Sequence, residues 1–257
     1  MTNRAPSERY RELSPPPDLR EHVRCGWMLG PVSGEAGTVL PDGCMDIVWR
    51  EGIGLIAAGP DTGPVRPSRP LGSTVVGIRF RPGGGPAMLS VPAKELRDLR
   101  VPLADLWGPD AERLSDLVDG AGSASARLGL LAAALRDRLE HAGRPDGLVA
   151  AAVARLSADS RARVRALGDA LGISERQLRR RFHAAVGYGP KTLARVIRLQ
   201  RMLALASASG PDRTDLATLA LAAGYADQSH MTAESTALAG SPPARLIASR
   251  EPLATSA

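Results

Sequence analysis

The sequence predicts an α+β protein: a β-rich N-terminal domain, a helical linker, and an all-α C-terminal domain of two helix-turn-helix units joined by a long helix. Three observations carry this. Short apolar runs broken by dense Pro and Gly fill roughly the first hundred residues. Apolar residues spaced three and four apart dominate afterwards. A pattern of helix, glycine-containing turn, helix, glycine stop and proline then occurs twice near the C-terminal end.

The strands are expected at Thr38–Leu40, Met45–Arg50, Leu55–Ala58 and Thr74–Arg81, separated by stretches such as "GPDTGPVRPSRPLG" and "RPGGGP". From Ala93 the pattern reads as helical. Leu128, Leu131, Leu135 and Leu139 form one stripe, which reads as packing onto its own domain rather than as a dimer seam. "GRPDG" at 143–147 is the expected joint, with Pro145 in the first turn of the next helix, dividing the chain into 1–142 and 143–257. Beyond it, Val149, Val153 and Leu156 mark one helix, and Val164, Leu167 and Leu171 a second ended by Gly172. Ser174 is the expected N-cap of a third, on which Leu178 and Phe182 face inward. A longer helix runs from Thr192 to about Ala206.

Composition narrows the function classes. Hydrophobic residues make up 44% and charged residues 23% of the 257, enough for a real core. No apolar run approaches a membrane span, and the start lacks the apolar core of a signal peptide, so no membrane role and a cytoplasmic location are expected. The 33 basic residues are almost all arginine, and the net charge of +6 is unevenly spread. Residues 161–213 carry +9, residues 214–257 carry −2 and the first 160 carry −1. A basic block on a helix-turn-helix points to a polyanion.

The repeat is specific in its spacing. Leu167, Ala170 and Gly172 match Leu219, Ala222 and Gly224 at an offset of 52, whereas Leu178, Gly187 and Pro190 match Met231, Gly240 and Pro243 at 53. One extra residue in the second turn reconciles the two. In such units the second helix can enter a major groove.

"LGDALGISERQLRRRFHAAVGYGPKTLARVIRLQRMLALA" followed by "LATLALAAGYADQSHMTAESTALAGSPPARL" resembles the DNA-binding domain of AraC-type bacterial transcription regulators over about residues 145–250. "LPDGCMDIVW", "AGPDTGP", "GIRFRPGGGPAML" and "VPLADLWG" are more weakly similar to sensor-like domains attached to some of these regulators. The resemblance implies double-stranded DNA as partner. It also implies control by a small effector or a second copy of the chain at the N-terminal domain, and contact with RNA polymerase. The DNA-facing positions it implies are Ser174, Arg176, Gln177, Arg179, Arg180 and Arg181 in the first unit, and Gln228, Ser229, His230 and Thr232 in the second. Arg176, Gln177 and Arg179 would read base edges, and Arg180 and Arg181 would hold phosphate or flanking sites. Arg195, Arg198 and Arg201 would extend the positive strip.

The second unit departs from the pattern, with Ser235 at the place of Phe182 and Ala233 at the place of Arg180. Loss of a core phenyl group costs about 3–5 kcal/mol unless neighbours repack; Met231, Leu238 and Tyr225 are candidates to do so. An asymmetric reader follows, with the first unit supplying most of the affinity. The rival function is an N-terminal domain with enzymatic or thiol and metal stress-response chemistry. Its candidates are Cys25 and Cys44, with His22 near Cys25, and the carboxylates Asp42 and Asp46. No CxxC pair, P-loop ending or nucleophile–base arrangement is present, so neither catalysis nor a cofactor or metal is expected. Asp42–Gly43 reads as a hairpin turn.

Overall fold

The computed structural model describes residues 10–31, 37–67, 72–209 and 215–248. Its N-terminal part is a six-stranded antiparallel sheet: β1 (Tyr10–Leu13), β2 (Val23–Leu29), β3 (Asp46–Arg50), β4 (Gly54–Ala58), β5 (Val75–Phe80) and β6 (Arg100–Pro102), in the order β1-β2-β5-β3-β4-β6. β3, β4 and β5 fall where the apolar runs place them. Thr38–Leu40 forms no strand, only an isolated Val39–Val65 bridge, because Leu40 leaves the sheet to be buried among the C-terminal helices. The helical pattern from Ala93 is also interrupted. Ala93–Glu95 is a single 3-10 turn, and the chain rejoins the sheet as β6, a short edge strand that Pro102 ends.

Alternation sends the two faces of the sheet to different fates. Ile47, Trp49, Leu55, Ala57, Val76, Ile78 and Phe80 point into a core closed by helices. These are α1 (Gly85–Leu89), α2 (Ala104–Trp107), α3 (Pro109–Asp119) and α4 (Ala124–Leu139). Leu128, Leu131 and Leu135 of α4 are buried against this face while Leu139 is only half-buried, so the leucine stripe packs on its own sheet. Arg127 stacks on Trp49 at 4.2 Å, and Trp49 Nε1 donates to Asp119 at 2.5 Å, tying α4 and α3 to the central strand. On the other face stand Cys25, Trp27, Val48, Ala58 and Val75. A register shift between Val23 and Cys25 is what lets Val23 join the first core and Cys25 the second. Gly77 is required where Trp27 crosses it, since a Cβ there would lie 2.5 Å from the indole ring.

The helical part comprises α5 (Gly147–Ala158), α6 (Val164–Ala170), α7 (Glu175–Val186), α8 (Pro190–Ser209), α9 (Leu216–Ala223), α10 (Gln228–Ala239) and α11 (Pro243–Ala248). Asp146, rather than a helical Pro145, starts α5: its carboxylate accepts from the Leu148 and Val149 amides. The repeat holds throughout. α9 starts 52 residues after α6, and α7 and α10 are both of 12 residues and start 53 apart. The N-caps Ser174 and Asp227 occupy equivalent positions. One core runs through all seven helices and includes Leu178, Phe182, Leu199, Met202, Tyr225 and Met231.

Candidate nucleic-acid interface and ligand cavity

The first unit is built to present α7. Ser174 Oγ accepts from the Gln177 amide, and Gln177 Oε1 accepts from the Ser174 amide, a reciprocal cap that fixes the first turn. Leu178 and Phe182, both fully buried, anchor the inner face, so Arg176, Arg179 and Arg180 stand exposed on the outer one. Among the described residues none of these three guanidinium groups has a side-chain partner. They differ in this from Arg181, whose Nη1 is paired at 2.6 Å with the Asp146 carboxylate that caps α5. Gln177 is likewise partly committed, its amide oxygen being held in the cap.

Much of the basic block turns inward. Arg198 is buried: its fork holds Glu234 at 2.7 and 2.9 Å, and its Nη1 donates to Ser160 O at 2.8 Å. Arg195 joins the same carboxylate at 3.3 Å. The expected positive strip Arg195–Arg198–Arg201 therefore does not exist; of the three only Arg201 is exposed. Arg161 donates to the carbonyls of Leu221, Gly224 and Tyr225, closing the end of α9. Arg213 lies outside the described residues. Arg161, Arg195 and Arg198 join α8 and the α5–α6 turn to the second unit, holding the two units in one body.

The second unit presents a different surface. His230 Nδ1 accepts from the Ala226 amide at 3.2 Å and Nε2 lies 3.3 Å from Glu234, so both ring nitrogens are used inside the unit. The outward face of α10 is a shallow depression lined by Gln228, Ser229, Thr232, Ala233, Thr236 and Ala237, and no residue in it is charged. Thr232 Oγ1 donates to Gln228 O. The Ser235 departure is absorbed as its spacing allowed. Ser235 is fully buried with Oγ 3.7 Å from Met202 Sδ, and Tyr225 and Met231 are buried in the same core.

A second feature lies on the uncovered face of the N-terminal sheet. A cavity of about 410 Å3 is floored by β2–β5 and roofed by the segments around Val39–Cys44 and Gly59–Val65. This volume is in the range of small-molecule sites. At one end Arg79 is buried amid three carboxylates: Asp46 at 3.2 Å, Asp42 at 3.4 Å and Glu12 at 3.8 Å. Burial pushes the Asp46 carboxyl above its usual range, against the pull of Arg79. Trp27 Nε1 donates to Asp46 at 2.7 Å. On another wall Arg100 clasps Asp61 through both nitrogens at 2.6 Å. The alternation in "DIVWR" carried the signal for this site, because it places Asp46, Val48 and Arg50 together on one face.

Among the described residues no group of three or more His, Cys, Asp or Glu could hold an ion. His22 Nδ1 is 3.2 Å from Gly84 O, and burial raises Cys25 to about 12 and Cys44 well above the ordinary thiol value. Among the described residues no helix is long and apolar enough to cross a membrane.

Two helix-turn-helix units on a shared long helix, with exposed arginines on α7, fit a DNA-binding transcription regulator, in keeping with the domain match that follows. Residues 167–249 match the family model of a helix-turn-helix domain, of the AraC type, and residues 11–102 match a domain of unknown function, DUF6597. Among solved structures the chain is similar to ToxT from Vibrio cholerae at 11% identity and a TM-score of 0.46, covering 87% of this chain and 98% of that one. So distant a likeness transfers no residue role. No curated protein matches the chain.

Proposed function

We propose that this regulator reads DNA mainly through α7 and that a small molecule in the sheet cavity sets its DNA affinity. Arg176 and Arg179 take base edges, Arg180 takes phosphate, and the interlocked Ser174–Gln177 cap holds the helix start against the backbone. Gln228, Ser229 and Thr232 approach the neighbouring groove, about one helical turn away, and add position more than affinity. Arg181 and His230 serve the fold first, Arg181 through Nη1 on Asp146 and His230 through both ring nitrogens.

One observation carries the control step: the segments that roof the cavity are the ones that grip the DNA-binding helices. Leu40 is buried in the helical core, and Gln200 Nε2 of α8 donates to Pro41 O at 2.7 Å. A Cβ on Gly43 would lie 2.9 Å from Leu193, and one on Gly187, at the end of α7, 2.5 Å from Pro60. A ligand that moves this roof therefore moves α7 and α8, which is a physical coupling of two sites. Two variants that touch no DNA test this. Val48→Phe fills the cavity floor, and Leu40→Ala frees the roof from the helices. Each is expected to change operator affinity of the full chain by about 5-fold or more, in line with typical coupling energies, while the exposed Leu117→Ala leaves it unchanged. Wild-type affinity in both cavity variants, with the fold intact by circular dichroism, would remove effector control from the account.

A further inference from the structure

The cavity is electrically lopsided, and that asymmetry selects a ligand class. Asp46, Val48 and Arg50 follow one another along the cavity face of β3. Four residues of strand separate the two charged ends by about 13 Å. The Asp46 end is closed to an anion: Arg79 there already faces three carboxylates. Arg100 is likewise committed to Asp61. Arg50 is different. Among the described residues its Nη2 is buried without a hydrogen-bond partner, although the residue lines the cavity. Burial alone lowers its pKa, with no carboxylate opposing the effect. An arginine stays protonated in such a setting and leaves a desolvated donor unmatched, which is costly unless something fills it. Between the two ends the walls are apolar, with Trp27, Val48, Ile56 and Val75.

We infer that the cavity takes a small organic anion, its acidic group on Arg50 and its apolar body along Val48, Ile56 and Val75 towards Trp27. The acidic cluster around Arg79 repels the anionic end and so fixes the orientation. Arg50 supplies a planar pair of donors that matches a carboxylate. The inference rests on the reading of the cavity as an effector site and adds the chemistry of the ligand.

Matched pairs of probes test it by calorimetry on the full chain: hexanoate against hexanamide, and 3-phenylpropionate against its primary amide. The two members of each pair share an apolar body and differ in charge. The acids are expected to bind about 10- to 100-fold more tightly than the amides, the range for hydrogen bonds to a charged group. Arg50→Gln should abolish that preference, and Arg50→Lys should restore part of it. Equal binding of acid and amide, a preference that survives Arg50→Gln, or failure of both acids to bind would each overturn the anion assignment. The same titrations repeated with operator DNA present separate this from the reading beneath it. Acids that bind through Arg50 yet leave DNA affinity unchanged would sink effector control alone. Amides that bind as well as acids and still alter DNA affinity would sink the anion assignment alone.

Discussion

Replacing Arg179 by Ala is expected to weaken operator binding by about 10- to 100-fold, the loss of one good bidentate base contact, and to relax sequence preference at the position it reads. Gln228→Ala, at the start of α10, should cost less than about 3-fold, since a neutral side chain contributes no counterion release. The contrast follows from the two helix faces. α7 offers Arg176, Arg179 and Arg180, exposed and free of side-chain partners among the described residues, on a helix whose start is locked by a reciprocal cap. α10 offers a face of Gln, Ser, Thr and Ala, with Ala233 where the first unit has Arg180. Quantitative footprinting of the two variants on the same operator decides the matter; equal losses would show that both units carry the affinity.

Arg198→Ala should destabilise the helical part by about 3 kcal/mol, at the lower end for breaking a buried ion pair because Arg195 and His230 still reach Glu234. A loss of that size lowers the midpoint of thermal unfolding by roughly 6–12 °C in a chain of this length. The side chain makes three contacts with Glu234 and one with Ser160 O, and its guanidinium lies 5.6 Å from the Tyr225 ring centre. Arg198→Lys keeps the charge but loses the fork, so its midpoint should fall between those of wild type and the Ala variant. An unchanged midpoint in the Ala variant would mean that Glu234 and Ser160 find other partners at no cost.

Arg198 also shows where the sequence could be read and where it could not. The repeat was legible because Gly172, Gly187, Gly224 and Gly240 take positive φ at helix ends, and Pro190 and Pro243 open the helices that follow. Backbone requirements of this kind leave a local mark. The role of Arg198 leaves none: its i+3 spacing from Arg195 suits an exposed strip, and only Glu234, 36 positions along, turns it inward. Arg181 leaves none either, since its partner Asp146 lies 35 positions away; His230, by contrast, meets Ala226 and Glu234, each four positions off. Strands β1, β2 and β6 leave a weak mark in the sequence because two of them are short edge strands and β2 carries Gly26 and a register shift. The cavity was half legible. Alternation in "DIVWR" fixes which side chains share a face, but the roof that encloses them comes from loops that carry no period.

The most direct test of the account is binding of the full chain to the DNA upstream of its own coding region and to a scrambled duplex, across a salt series. The account predicts selective binding, with log K falling against log salt at a slope of about −1 or steeper, since each phosphate contact contributes about 0.9 and Arg180 supplies at least one. Equal affinity for both duplexes, or a slope near zero for the upstream DNA, would contradict the assignment of α7 as the reading helix.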